Sequence, residues 1–167
     1  GSGKSTVAKV LCGIIKPQSG EIIINNKILF SSEKKINLST KENNKNIFES
    51  GAIMLYLTTK YNKFLPEKDY GEVIQWFFYQ ISQVGPILGQ AHQFLHYHAG
   101  KSSFAEEKYT DYVKRIYETL DQRLLRNEYL GIEYSIADIA TWPWIARFEI
   151  HKAKIEEYPN VLRWYKL

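Results

Sequence analysis

Three groups of residues have types and spacing that could do chemistry. Gly1-Ser2-Gly3-Lys4-Ser5-Thr6 matches the end of the phosphate-binding loop G-x-x-x-x-G-K-[ST]. In that loop backbone N–H groups surround phosphates, the Lys reaches the outer ones and the hydroxyl holds magnesium. Gly1, Gly3, Lys4, Ser5 and Thr6 are therefore candidate nucleotide contacts, with a solvated lysine as the competing reading of Lys4. Glu49-Ser50 precedes the helical spacing of Ile53, Met54 and Leu57, which puts Ser50 at a helix N-cap. The N–H groups and dipole of that helix end favour a small carboxylate, and Glu49 can accept an ammonium. A ligand with an amino-acid head group would satisfy both; the alternative is an ordinary capping pair. His92, His96 and His98 lack a carboxylate or Cys at ligand spacing, so no metal is expected and they read as pocket or loop residues.

The elements that must position these groups are legible in part. Ile22–Ile24, Asn25-Asn26-Lys27 and Ile28–Phe30 read as strand, turn and strand. An apolar stripe through Val73 or Ile74, Phe77 or Phe78, Ile81, Val84 and Ile87 or Leu88 predicts one long helix bent near Pro86. A second stripe runs through Tyr109, Tyr112 or Val113, Ile116, Leu120 and Leu124, with its aromatics in the core. Ser135-Ile136-Ala137-Asp138 has capping-box spacing, the hydroxyl capping the helix and the carboxylate reaching back to the Ser135 N–H. Its role is folding.

Composition divides the chain near Ile47. Residues 1–46 carry eight Lys against three acids, and residues 47–167 carry 14 Lys or Arg against 15 acids, so the net +4 is local. All four Trp, 12 Tyr and four His lie after that point, and Phe30 alone of the Phe residues precedes it. A shift of this kind marks a boundary. The basic excess lacks Arg and interleaved aromatics, so nucleic-acid binding is not expected. One cysteine, Cys12, excludes an intramolecular disulfide and a Cys-x-x-Cys pair, and points to a reducing, cytoplasmic setting. No run of 18 apolar residues predicts a membrane span.

Beyond these patterns, two resemblances separate the halves. Leu11-Cys12-Gly13-Ile14-Ile15-Lys16-Pro17-Gln18-Ser19-Gly20-Glu21-Ile22, after Gly3-Lys4-Ser5, resembles the stretch that follows the phosphate loop in ATP-binding cassette (ABC) ATPases, and 31–38 looks like the molybdate-importer variant. That resemblance implies ATP and magnesium as ligands, but not hydrolysis, since the signature and the magnesium-holding acids do not follow. From Phe48 onward the chain resembles glutathione transferases. Glu49-Ser50 resembles the pair that holds the γ-glutamyl end of glutathione, and Gln75-Trp76-Phe77-Phe78-Tyr79-Gln80 with Gly85-Pro86-Ile87-Leu88-Gly89-Gln90 is similar to the nu class, which includes disulfide-bond oxidoreductases. Trp142-Pro143-Trp144 and Tyr158-Pro159-Asn160-Val161-Leu162-Arg163-Trp164 extend the likeness. The resemblance implies that Arg115, as a buried fork donor, reaches glutathione. Ala91 departs from a polar residue common there.

The expectation is thus a mainly α chain, a glutathione transferase C-terminal helical bundle with a short α/β remnant at the N-terminus. Its expected divisions are 1–46 (an ABC-like fragment), 47–66 (the last helix of a thioredoxin-like domain) and 67–167 (the helical domain). The resemblance further implies glutathione as substrate or cosubstrate and a homodimer for a full transferase. Thiol activation in this family lies in a part of the thioredoxin-like domain that 47–167 does not contain, so little or no turnover is expected. The junction reads as a chimera, by gene fusion or sequence assembly. An ATP-binding fragment and a non-catalytic helical interaction domain are the competing functions.

Overall fold

The computed structural model describes residues 21–24, 27–31, 40–42 and 45–167, with side chains from Ile47 onward. The chain divides into two compact units, Gly1–Leu57 and Thr58–Leu167, each treated by itself below. Gly1, Gly3, Lys4, Ser5 and Thr6, and the Pro-x-Ser-Gly turn after them, lie outside the described residues.

In the first unit β1 (Glu21–Ile24) pairs antiparallel with β2 (Lys27–Ser31), from Glu21 opposite Ser31 to Ile24 opposite Lys27, with a shift in register between Ile22 and Ile23. These are the two strands expected around Asn25-Asn26. A second antiparallel pair, β3 (Thr40–Glu42) with β4 (Lys45–Ile47), was not anticipated. Polar Thr40, Lys41 and Glu42 give no alternating apolar signal. Helix α1 (Ser50–Tyr61) follows and runs into the second unit.

The second unit is helical. A continuous helical run comprises α2 (Tyr70–Tyr79), a π turn (Gln80–Val84), α3 (Gly85–Ala91) and a second π turn (His92–Tyr97). Pro86 has no N–H to give to the preceding turn, and the widened turn before it absorbs that loss: the Gly85 N–H donates to the Gln80 carbonyl, five residues back. The extra residue shifts the phase of the stripe. Val73, Phe77, Val84, Leu88, Ala91 and Leu95 are buried, whereas Ile81 and Phe78 are exposed, which corrects the expected place of Ile81. Gln80 takes the inward position instead.

Helix α4 (Ser103–Leu124) is capped by the Ser102 hydroxyl, which accepts from the Ala105 N–H. It buries Val113, Ile116, Tyr117, Leu120 and Leu124, while Tyr109 and Tyr112 are only half-buried. Helix α5 (Ile136–Ile145) packs on α2, and α6 (Pro159–Lys166) packs on α4. Two charged groups clasp α4 to α6. The Asp121 carboxylate of α4 accepts from the N–H groups of Asn160 (2.8 Å) and Val161 (3.1 Å), capping α6 from outside, while the Arg163 guanidinium of α6 donates to the carbonyls of Leu124 (2.6 Å) and Asn127 (2.8 Å) at the end of α4. Both use groups that helix ends leave without intrahelical partners. Arg123 adds a forked pair to Glu72 of α2, at 3.1 Å on both arms. No helix among the described residues is long and apolar enough to cross a membrane.

Candidate functional site

Glu49 and Ser50 stand at the start of α1. The Ile53 N–H donates to the Glu49 carbonyl at 2.9 Å, so Glu49 holds the backbone position of the N-cap and Ser50 is the first helical residue, one place inside the cap expected for it. The N–H groups of Ser50, Gly51 and Ala52 precede that first helical bond and have no intrahelical acceptor; Ser50 and Ala52 are exposed, whereas Gly51 is buried. The Glu49 and Ser50 side chains are both exposed. Glu49 has φ 70°, the left-handed region that costs a non-glycine residue about 1 kcal/mol. The helix start thus combines a carboxylate, a hydroxyl, N–H groups without intrahelical acceptors and the positive end of the helix dipole.

Arg115 belongs to the other unit, on α4. It is exposed, with its guanidinium 6.0 Å from the centre of the Tyr112 ring, where a buried donor was expected. Its place follows from the helix: Val113, Ile116 and Tyr117 take the inward positions, leaving Lys114 and Arg115 outward. Lys108 lies over the Tyr112 ring as well, 5.7 Å from its centre, and over Phe104 at 5.8 Å. Cations and aromatic faces along one helix, the guanidinium being the more weakly hydrated, suit planar and anionic groups.

Ser135 and Asp138 form a buried capping box at the start of α5. The Asp138 carboxylate accepts from the Ser135 N–H (3.0 Å) and hydroxyl (3.1 Å) on one oxygen, and from the Leu130 N–H and Trp164 indole N–H (2.9 Å each) on the other. Burial raises its pKa, and the four donors pull the other way without cancelling the rise. Every lone-pair direction of this carboxylate faces a protein donor. Its chemistry is spent on folding, with no room for a ligand.

His92 is neither a loop nor a pocket residue. It lies in the core, its Nε2 2.7 Å from Nε2 of His151, whose Nδ1 is 3.1 Å from the Tyr117 hydroxyl. His96 and His98 are exposed. Burial lowers the pKa of His92, with Arg147 and then His96 adding to the effect. Burial likewise lowers that of His151, to about 3, with His92 and Arg147 adding to it. Tyr117 is pushed above its usual value by burial. Among the described residues no group of three or more His, Cys, Asp or Glu could hold a metal. The His151 partner is 59 residues from His92 and no local spacing announces it.

Residues 103–167 match the family described as Glutathione S-transferase, C-terminal domain. The helical unit has the fold of a glutathione S-transferase C-terminal domain. Over 123 residues the chain is 40% identical to the disulfide-bond oxidoreductase YfcG of Escherichia coli, covering 72% of this chain and 57% of that protein. Among solved structures, a glutathione transferase of Burkholderia graminis with two glutathione molecules per subunit aligns at 37% identity and TM-score 0.64, covering 73% of this chain and 55% of that one. A glutathione transferase of Pseudomonas putida with one glutathione disulfide per subunit aligns at 31% identity and TM-score 0.67, covering 73% and 57%. The chain therefore spans somewhat more than half the length of these transferase relatives. The ABC and chimera readings of residues 1–46 gain no support from these matches.

Proposed function

We propose that this transferase-like chain binds glutathione, with the start of α1 as the head-group site. The Glu49 carboxylate accepts the γ-glutamyl ammonium, while the exposed Ser50 hydroxyl and N–H hold the adjoining carboxylate. Arg115, on α4 of the other unit, is by itself an exposed forked donor suited to a carboxylate. The single observation that carries this reading is the exposed acid-hydroxyl pair at a helix start, with Glu49 held at φ 70°. A left-handed non-glycine residue persists where its surroundings or its task require it. Relatives crystallised with glutathione or its disulfide support the choice of ligand.

Within the family, likeness to a disulfide-bond oxidoreductase favours a nu-type role in which glutathione exchanges with disulfides. Residues 47–167 offer no cysteine thiol, so in that role the sulfur is the ligand's own. In the whole protein, residues 47–66 close a thioredoxin-like domain, residues 67–167 form the helical domain, and the transferase acts as a homodimer in the cytoplasm.

Calorimetric titration of the full chain with glutathione tests the head-group site. Saturable heat that falls about tenfold or more in affinity in Glu49→Gln, the size expected for losing one charged hydrogen bond, is the expected result. Wild-type protein that gives no heat at millimolar glutathione sinks it.

A further inference from the structure

The buried Tyr117–His151–His92 chain takes no part in the glutathione site and joins three elements that are far apart in sequence. Tyr117 lies in the middle of α4, His92 opens the second π turn, and His151 belongs to the turn segment 146–153 after α5. That segment is irregularly wound, with hydrogen bonds of three, four and five residues mixed. The N–H groups of Arg147, Phe148, Ile150 and Lys152 each donate three residues back, Lys152 has φ 56°, and most of its side chains are at least partly exposed. His151 is the exception, with 1% exposure, and anchors the segment in the core.

With both imidazoles neutral, one arrangement satisfies all three side chains. The Tyr117 O–H donates to His151 Nδ1, and His151 Nε2–H donates to His92 Nε2. A proton taken up by His92 turns its Nε2 into a donor and reverses the chain. His151 Nε2 must then accept, its Nδ1–H points at the Tyr117 oxygen, and the tyrosine proton loses its acceptor in a fully buried place. A second proton sets two N–H groups against each other across 2.7 Å. The charged groups acting on the pair are Arg147 on the turn segment and His96 on the π turn, both of the wrong sign to welcome a proton. Beyond Tyr117 lies the Tyr158 ring, at 5.2 Å, with Glu118, Asp121 and Glu157 around its hydroxyl.

We propose that the Tyr117–His151–His92 chain is an acid-sensitive latch, which holds segment 146–153 on the helical body and releases it ahead of the rest of the domain when a proton enters the chain. Released histidines regain their ordinary affinity for protons, so each pH unit below about 6.5 favours the open segment by up to about tenfold per histidine. The body of α4 stays closed, because apart from Tyr117 it packs chiefly on α3, the second π turn and α6.

Hydrogen exchange of the full chain at pH 7.5 and pH 5.5, corrected for intrinsic rates, reads the latch directly. Residues 146–153 are expected to open about tenfold more often at the lower pH, while 113–124 change by less than about twofold. His92→Gln keeps a hydrogen-bonding side chain that takes up no proton, and should remove at least half of the logarithmic response. Should that variant fail to fold, the ring resonances of the wild-type histidines supply the second measurement, with His92 and His151 remaining neutral in the closed form down to pH 5.5. Exchange at 146–153 that is insensitive to pH, or that rises only in step with 113–124, overturns the proposal. So do buried rings that titrate near 6.5 with the segment closed.

Discussion

Two helices of this chain begin with the same ingredients, a serine and an acid, and use them oppositely. At the start of α5 the pair is buried, and Asp138 accepts from four protein donors. At the start of α1 the pair is exposed and Glu49 is held in a left-handed backbone. The first arrangement satisfies itself, and adding a ligand would break it. The second leaves a carboxylate and a hydroxyl exposed, at some cost in backbone conformation. Residue type alone does not separate structure from binding; order and burial do. Serine before acid across one turn closes into a box, whereas acid immediately before serine cannot fold back on itself in the same way.

The contrast can be broken most forcefully at α5. Asp138→Ala strands the N–H groups of Leu130, Ser135 and Trp164 in the core, and is expected to cost about 3–5 kcal/mol, read by urea unfolding of the full chain. A loss under 1 kcal/mol would mean that the box is ornamental.

Acid sharpens the comparison next, because the buried box should not be its target. Burial raises the Asp138 pKa above its unfolded value, so the native state takes up that proton first, and acidification through this range favours folding. His151 has the opposite sign. Its native pKa, about 3, lies below the unfolded value near 6.5, so stability from keeping it neutral is present above 6.5 and is lost as the pH falls toward 3. From pH 7 to pH 5 the loss is up to about 2 kcal/mol for that one group, limited by the free energy needed to open its segment. Urea midpoints across this range should fall in wild type and fall less in His151→Gln.

A smaller effect separates cost from use at α1. Glu49→Gly removes the left-handed penalty and should gain about 0.5–1 kcal/mol of stability, with allowance for the glycine's looser unfolded chain, while glutathione affinity drops about tenfold. A variant that is less stable and binds as before would reverse the assignment of that residue. Smallest of the set is Thr141 on α5, whose buried hydroxyl has no partner among the described residues. Thr141→Val keeps the shape, removes the orphaned group and should raise stability by about 1 kcal/mol, seen as a higher melting temperature.

The helical fold was readable where one rule acts locally. The Ser135-x-x-Asp138 spacing points to a box, and the stripes of α2 and α4 point to their buried faces. Legibility failed where geometry departs from the regular period. The π turn at Gln80–Val84 moves Gln80 inward and Ile81 outward, a shift that a 3.6-residue rule cannot register. Pro86 marked the place but not the form of the irregularity. The His92–His151 pair was hidden for another reason, since its members meet across 59 residues and neither has a local signature. Arg115 was expected as a buried donor, yet its side chain is exposed on this domain because Val113, Ile116 and Tyr117 take the inward positions of α4.

The reciprocal clasp between α4 and α6 has a consequence for how the domain can be taken apart. Asp121 supplies the cap that α6 lacks in its own sequence, and Arg163 returns donors to the last carbonyl of α4, Leu124, and to Asn127 just beyond it. Each helix is therefore completed by its neighbour, much as two pages share a binding. Cutting the chain between them would leave two frayed peptides, and mixing those peptides should restore more helix than the sum of the parts, because what each terminus lacks is carried by the other.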